Sequence, residues 1–325
     1  MSADRTQGSP RYVLGVDFGG TKVALATAPL GAAPQMPLSG TRIETRGSEG
    51  APEVVRRTVA ACRSLVAGHP GELAAVGVST FGIVRDGVVR LAPNVPGWDG
   101  LPLPGLLSEE FGRTPVSVAN DVKAATAAEL RWGSLKGVRD GIYLNLGTGL
   151  AAGFVVNGQV VNGAHGAAGE IAYLARHADD LRILQPAAPV ADGLGPAVTR
   201  APLEEYISGI ALAERGSELL GTPVTAAELF DRGHDPRVRI LLDDALDALA
   251  LAMANLCVAL DPSRVVIGGG MMGAAQLIVP HLREAVRQAV PYPPEIVAAR
   301  FVDDAPLYGA LALALDRDSL DGTSA

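Results

Sequence analysis

The chain has 325 residues, of which 48% are apolar and 19% charged, and its formal net charge is −8 at pH 7. This length allows two domains and a full apolar core, and no run of Lys or Arg supplies the clustered positive charge that nucleic-acid binding needs. Residues 1–10 are polar and unlike a signal peptide, and the most apolar stretch, 248–260, is too short to span a membrane. We therefore expect a soluble, cytoplasmic α/β protein with no nucleic-acid or membrane partner.

Hydrophobic periodicity predicts alternating strands and helices in the first part of the chain. Expected strands lie at 12–18, 22–28, 41–45, 73–79 and 115–119, with helices at 52–67 and 121–131. An Asp86-Gly87 pair predicts a hairpin over 83–91, and a proline- and glycine-rich loop follows over 92–105.

The second part of the chain repeats this scheme, since two strands again flank a glycine-rich turn. Residues 163–203 are expected to be irregular, because Gly, Ala and Pro are frequent there. Expected strands lie at 141–146, 152–156, 159–162, 264–267 and 295–301, with helices at 203–220, 237–260, 274–289 and 306–316.

The two glycine-rich turns are the most informative motifs. The first is Asp17-Phe-Gly-Gly-Thr-Lys22 and the second is Leu146-Gly-Thr-Gly149. Such turns can present backbone N–H groups to a phosphate while a carboxylate faces a hydrated Mg²⁺. The first turn matches neither the P-loop nor the dinucleotide-binding pattern, and alone it could be a plain hairpin with a surface lysine. The pair favours a phosphotransferase that grips a triphosphate between two lobes.

Three acidic positions have both a structural and a chemical interpretation. Asn120 and Asp121 follow a strand and open a helix, where either could be a helix cap and a carboxylate could act as a base. Glu170 follows Gly169 in an apolar stretch and is either a surface residue or a bidentate acceptor. Glu204 opens a helix, where the helix dipole stabilises an acid whatever its function.

Seven blocks between residues 12 and 315 resemble the ROK family of bacterial glucokinases and N-acetylhexosamine kinases, within the sugar kinase/actin/heat-shock ATPase superfamily. The resemblance implies an α/β, two-lobed actin-like ATPase fold with ribonuclease H-like lobes and a central cleft. The small lobe would be 1–119, completed by the C-terminal helix 306–325, and the larger lobe 120–305. The blocks are Asp17–Lys22, Ala92–Trp98, Ala119–Asp121, Leu146–Gly149, Gly163–Ile171, Leu203–Gly209 and Leu260–Gly270.

The resemblance also implies roles for individual residues. Asp121 would be the catalytic base of an ATP-dependent transfer to a hexose hydroxyl, at O6, and Asp17 would hold Mg²⁺ through water. The sugar would be bound by Asn94, Asn120, Asp121, Glu170, Tyr173 and Glu204. The phosphates would be held by Gly19, Gly20, Thr21, Lys22, Gly147, Thr148 and Gly149, and the adenosine pocket would be bounded by Gly268, Gly269 and Gly270.

This chain departs from the family pattern where zinc is usually bound. Tyr173 stands where a histidine is usual, and the segment 195–202 contains no cysteine where several are usual. The two cysteines, Cys62 and Cys257, lie in apolar helical patterns. The resemblance therefore implies a kinase without a zinc site.

The substrate and the function class retain alternatives. Glucose is the default sugar, and kanosamine or a C7-cyclitol is the alternative, because Tyr173 and Phe81 are expected to reshape the sugar pocket. A sugar-binding regulator without catalytic activity is a second function class. The family resemblance implies a homodimer.

Overall fold

The computed structural model describes residues 10–30, 39–183, 187–189, 196–197 and 200–316. The chain divides into two compact units, which we call the N-terminal and the C-terminal unit. The N-terminal unit comprises Met1–Lys136, Asn162–Ala167 and Asp303–Ala325. The C-terminal unit comprises Gly137–Val161 and Ala168–Val302.

The N-terminal unit contains a five-stranded mixed sheet with the strand order β3-β2-β1-β4-β7. Strands β1, β2 and β3 are antiparallel neighbours, whereas β4 and β7 run parallel to β1. Its elements are β1 (Arg11–Phe18), β2 (Lys22–Pro29), β3 (Ser39–Glu44), α1 (Ala51–Ala67), β4 (Glu72–Thr80), β5 (Ile83–Arg85), β6 (Val88–Arg90), α2 (Leu103–Phe111), β7 (Val116–Asn120), α3 (Asp121–Trp132) and α10 (Ala305–Leu315).

The C-terminal unit repeats the topology, with the strand order β10-β9-β8-β13-β14. Again three antiparallel strands are extended by two that run parallel to the first. Its elements are β8 (Gly141–Leu146), β9 (Leu150–Val156), β10 (Gln159–Val160), α4 (Asp180–Ile183), β11 (Ala187–Pro189), β12 (Pro196–Ala197), α5 (Glu204–Ile207), α6 (Gly209–Leu220), α7 (Ala226–Asp231), α8 (Pro236–Leu260), β13 (Arg264–Gly268), α9 (Ala275–Ala289) and β14 (Glu295–Ala298).

Helix α10 is built into the N-terminal unit through glycines. A Cβ atom at Gly77 of β4 would lie 1.8 Å from the carbonyl oxygen of Ala310, and one at Gly309 would lie 2.0 Å from that of Ala124. The backbone of α10 therefore packs directly against both β4 and α3. This contact holds β4 and α3 together with α10, and α3 begins at the predicted site residue Asp121.

The predicted hairpin over 83–91 is confirmed as β5 and β6, and its turn residues Asp86 and Gly87 have φ angles of 51° and 76°. The predicted helix over 203–220 is wrong in one respect, because it is broken into α5 and α6. Ser208 has extended backbone (φ −63°, ψ 160°) and caps α6 by accepting the N–H of Ala211. No described helix has the length and apolarity needed to cross a bilayer.

Candidate functional site

The first glycine turn, at 19–21 between β1 and β2, is braced by backbone and side-chain hydrogen bonds. The N–H of Gly19 donates to the Lys22 carbonyl at 3.0 Å, and Thr45 Oγ1 donates to the Gly19 carbonyl at 2.6 Å. The N–H of Thr45 also donates to the Thr21 carbonyl at 2.9 Å. At Gly20 a Cβ would meet no atom within 4 Å, so the turn is open there.

Charged groups of both signs surround this turn. Asp17 of β1 lies opposite Ser79 of β4 in the sheet. Burial raises the pKa of the Asp17 carboxyl to about 7. The charges of Asp121 and Asp304 raise that pKa further, whereas Lys22 lowers it. Lys22 Nζ lies 3.4 Å from Asp304 Oδ1. The charges of Asp121 and Asp304 therefore make the surroundings of Asp17 negative, and Lys22 partly offsets them.

The raised pKa of Asp17 predicts a pH-dependent stability. Its carboxyl titrates near 7 in the folded chain, against an ordinary value of 3.8, so the folded chain binds more protons between these values. Asp17 therefore reduces the free energy of unfolding as the pH rises from about 4 to 7, by up to roughly 4 kcal/mol. Asp17→Asn should be more stable than the wild type at pH 8 without Mg²⁺, and the difference should vanish toward pH 4. Urea unfolding across this range measures it, and a variant destabilised at pH 8 would contradict it.

Asn120 and Asp121, at the end of β7 and the start of α3, have different roles. The sequence left helix capping open for both residues and a role as a base open for the carboxylate. Asn120 Oδ1 accepts the N–H of Lys123 at 2.9 Å and is the N-cap of α3. Asp121 Oδ1 accepts the N–H of Val122 at 2.9 Å, and burial raises the pKa of its carboxyl. Because Asn120 supplies the cap, the partly buried carboxylate of Asp121 is available for chemistry.

Lys123 is a site residue that sequence reasoning missed. Its side chain is almost fully buried, and its Nζ donates to the carbonyls of Gly166 and of Asn162, the latter at 3.3 Å. Gly166 has a φ of 70°, and a Cβ there would lie 2.4 Å from the Val84 carbonyl oxygen. These contacts fix residues 162–166 beside Asn120, around a cavity of about 290 Å³. A lysine within the alanine-rich start of α3 was the available signal.

The loop that carries Asn94 is anchored by a buried tryptophan. Trp98 Nε1 donates to Thr80 Oγ1 at 3.0 Å, and its ring stacks on Phe81 with centroids 4.7 Å apart. The side chain of Asn94 is exposed. Phe81, which the sequence assigned to reshaping the sugar pocket, thus packs on the residue that holds this loop.

The second glycine turn, at 147–149 between β8 and β9, is held by the segment around α5. The N–H of Gly209 donates to the Gly147 carbonyl at 2.9 Å, and Glu204 Oε2 accepts the N–H of Leu150 at 2.8 Å. A Cβ at Gly149 would lie 2.8 Å from Glu204 Oε2. Glu204 therefore stabilises this turn, and its contact with a sugar stays a prediction.

A cavity of about 530 Å³ opens beside this turn within the C-terminal unit. Thr148 and Gly270 line it, together with apolar side chains that include Ile210 and Met271. The backbone of Gly269 has a φ of 94° and passes under Leu146. This volume and lining fit a nucleoside. A cavity of about 760 Å³ between α8 and α9 contains none of the predicted site residues.

Gly268 and Gly269 give this region its close backbone packing. A Cβ at Gly269 would lie 2.3 Å from the Leu146 carbonyl oxygen, and one at Gly268 would lie 2.6 Å from the hydroxyl of Tyr143. Only glycine fits both positions without displacement of a neighbour. The backbone at the end of β13 therefore packs closely against Leu146, the last residue before the second turn.

Glu170, Tyr173 and Glu204 come together in the C-terminal unit. Glu170 leads into a 3₁₀ turn at Ile171–Tyr173, and the N–H of Leu203 donates to the Ala172 carbonyl at 3.1 Å. Burial raises the pKa of the half-buried Tyr173, and the charges of Glu170 and Glu204 raise it further. The charges of both carboxylates therefore act on the phenol of Tyr173.

In the segment that the sequence associates with missing zinc ligands, 195–202, residues 195, 198 and 199 lie outside the described residues. Cys62 and Cys257 are buried free thiols, and burial raises their pKa values to about 12 and about 11. Within the part of the chain that the structure describes, no group of three or more His, Cys, Asp or Glu residues could hold a metal ion.

Curated relatives include three kinases that are named for different sugars. The chain is 28% identical to a glucokinase of Thermotoga maritima, over 94% of this chain and 98% of the relative. It is 30% identical to an N-acetylmannosamine kinase of Haemophilus influenzae, over 91% and 93%. It is 32% identical to a kanosamine kinase of Amycolatopsis mediterranei, over 94% and 97%.

Solved structures show the same fold. The ROK hexokinase of Thermus thermophilus is 31% identical, with a TM-score of 0.76 over 93% of this chain and 97% of its own. A ROK family glucokinase of Streptomyces griseus, in complex with glucose and AMPPNP, is 27% identical, with a TM-score of 0.69 over 93% and 99%. The predicted actin-like ATPase fold is thus confirmed. Because the sequence pattern of the ROK family also matches residues 13–317, this chain belongs to the ROK family.

Proposed function

We propose that this protein is an ATP-dependent sugar kinase that phosphorylates the O6 hydroxyl of a hexose, with Asp121 as the general base. The observation that carries the proposal is the partly buried carboxylate of Asp121 at the start of α3, whose N-cap is supplied by Asn120. Desolvation raises the pKa of this carboxyl, and a base of raised pKa is suited to accept a proton from an alcohol near neutral pH.

In this mechanism the Asp121 carboxylate accepts the O6 proton as the hydroxyl oxygen attacks the γ-phosphorus. The bond from the γ-phosphorus to the β,γ-bridging oxygen breaks, which leaves a sugar phosphate and ADP. MgATP, when bound, would supply the phosphoryl group, and its Mg²⁺ would neutralise negative charge on the phosphate oxygens. The backbone of 19–21 and of 147–149, with Lys22, would bind the phosphates, and Asp17 would face the hydrated Mg²⁺.

The C-terminal unit supports a nucleoside beside the second turn. The cavity of about 530 Å³ combines apolar walls with the backbone of Thr148 and Gly270, which suits a purine and ribose. Asn94, Asn120, Glu170, Tyr173 and Glu204 are the proposed sugar contacts. Amide and carboxylate groups suit neighbouring hydroxyls, because amides donate and accept while carboxylates accept twice.

Glucose is the default substrate, since the glucokinase of Thermotoga maritima matches almost the whole chain. An amino sugar such as kanosamine is the second candidate, and a C7-cyclitol the third. The kanosamine kinase of Amycolatopsis mediterranei matches equally fully, and the charges of Glu170 and Glu204 act on Tyr173. A carboxylate pair attracts an ammonium group, which glucose lacks.

A substrate panel tests this proposal. Glucose, N-acetylmannosamine, kanosamine and a C7-cyclitol, each with MgATP, should be compared by coupled ADP release, and the product located by ³¹P NMR. We expect one hexose to be preferred in kcat/KM by about tenfold or more, because one additional hydrogen bond to the substrate contributes roughly 1 kcal/mol or more. The phosphorus signal should couple to the C6 protons. Absence of sugar-dependent ADP release across the panel would contradict the kinase proposal and favour the sugar-binding regulator.

The remaining expectations belong to the same proposal. We propose a cytoplasmic homodimer that acts without zinc. Size-exclusion chromatography with light scattering and metal analysis of chelator-free protein test the oligomeric state and the zinc content.

A further inference from the structure

A tyrosine enclosed by two arginines lies in the C-terminal unit, outside the proposed catalytic groups. The Arg176 guanidinium is centred 4.0 Å from the ring centroid of Tyr206, and that of Arg215 is 3.9 Å from it. Both guanidinium groups therefore lie against the aromatic ring of Tyr206. Cation–π contacts of this kind are attractive and gain strength where they are shielded from water.

Further hydrogen bonds fix all three side chains. The Tyr206 hydroxyl donates to Asp244 of α8, and Arg215 Nη1 donates to the Tyr206 carbonyl at 2.6 Å. Arg176 uses both its backbone and its side chain on Asp180, with its N–H at 2.8 Å and its Nη2 at 3.2 Å. The side chain of Asp180 is 3% exposed. The stack is therefore an ordered cluster that joins the segment before α4 to α5 and α8.

This cluster contacts the same two segments that carry the proposed sugar contacts. Arg176 follows Tyr173 by three residues, and Tyr206 follows Glu204 by two. On one side, the two segments are joined by a backbone hydrogen bond of 3.1 Å from the N–H of Leu203 to the carbonyl of Ala172. The contact of Arg176 with Tyr206 joins them on the other. The 3₁₀ turn and the start of α5 are thus held together at two points.

We infer that Arg176 is a positioning residue for sugar binding, which holds the Glu170–Tyr173 turn against α5 through its stack on Tyr206. This inference rests on the proposed sugar kinase function. Arg215 stacks on the same ring at nearly the same distance, but its hydrogen bonds go to the Tyr206 carbonyl and to Asp244, so it connects α6 with α5 and α8 and not with the turn of Glu170 and Tyr173. Substituting Arg176 and Arg215 in turn therefore distinguishes positioning of the sugar contacts from general support of the Tyr206 ring.

Arg176→Met and Arg215→Met are the matched variants, because each replaces a guanidinium by an apolar chain of similar reach. We expect Arg176→Met to raise the KM for the sugar about tenfold, with kcat and the KM for MgATP within twofold of wild type. Arg215→Met should leave the sugar KM within twofold. Equal sugar KM values for the two variants would overturn the inference, whether both rise or neither changes.

A measurement without catalysis separates this inference from the proposed function. Amide hydrogen exchange of the ligand-free protein should show faster exchange at 171–176 in Arg176→Met than in Arg215→Met. Equal exchange of this segment in the two variants would overturn the inference even if no sugar were turned over. If Arg176→Met does not fold, Arg176→Lys keeps a cation on the ring and the backbone hydrogen bond to Asp180 but loses the hydrogen bond from Nη2 to Asp180. It should give an intermediate rise of the sugar KM, and a wild-type KM would overturn the inference.

Discussion

Asp121→Asn is expected to lower kcat by about 10²- to 10⁴-fold, the usual contribution of a general base. The amide has the shape of the carboxylate but cannot accept the proton of an attacking hydroxyl. The fold should persist, because Asn120 caps α3 and the new amide oxygen can still accept the N–H of Val122. Sugar binding, measured by calorimetry, should stay within about threefold of wild type, since the substitution removes a contact that matters in the transition state.

The control for this variant removes a different helix-terminal carboxylate. Asp235 caps α8 by accepting the N–H of Arg237 at 2.9 Å, and it is not among the proposed site residues. Asp235→Asn should keep kcat within twofold. If Asp121→Asn retained more than a tenth of the wild-type kcat, Asp121 would not be the base.

Gly269→Ala is expected to disrupt the proposed nucleotide cavity more than any other glycine-to-alanine substitution near it. The backbone of Gly269 has φ 94° and ψ 167°, a region that is essentially restricted to glycine. The new Cβ would lie 2.3 Å from the oxygen and 2.6 Å from the carbon of the Leu146 carbonyl, so a strand backbone would have to move. Strain and displacement together should cost roughly 3 kcal/mol or more.

Gly270→Ala is the matched control for Gly269→Ala. It lies one residue further along the same loop, and a Cβ there would meet no atom within 4 Å. We expect Gly270→Ala to melt at the wild-type temperature by scanning calorimetry, whereas Gly269→Ala melts several degrees lower. By calorimetric titration, Gly269→Ala should bind ADP at least about tenfold more weakly than the wild type, because Gly269 joins β13 to the cavity. Equal melting temperatures of the two variants, or wild-type ADP affinity in Gly269→Ala, would contradict this account of the loop.

The sheet and its glycine turns were predictable because their signals are local. Alternating apolar residues before and after Gly19 and Gly147 define the paired strands, and Asp86-Gly87 defines a hairpin turn. The break at Ser208 was missed although Ser208-Gly209 is a plausible helix start, because the apolar spacing continues through it. Helix α7 was missed despite a capping box formed by Thr225 and Glu228.

Contacts between residues distant in sequence could not be predicted in this way. Nothing beside Lys123 in the sequence indicates that it binds the carbonyls of Asn162 and Gly166. The stack of Arg176 on Tyr206 likewise joins residues of two segments separated by a long irregular stretch. For Asn120 the sequence left helix capping and sugar binding open, and only its hydrogen bond to Lys123 assigned the cap.

The central claim is that residues 19–21 and 147–149 bind the phosphates of one nucleotide. A crystal structure with AMPPNP, Mg²⁺ and the preferred sugar tests it most directly. We predict that the β- and γ-phosphates contact both glycine turns, with the purine in the cavity lined by Thr148 and Gly270 and a sugar hydroxyl beside Asp121. Phosphates bound away from either turn, or a sugar hydroxyl out of reach of Asp121, would contradict the account.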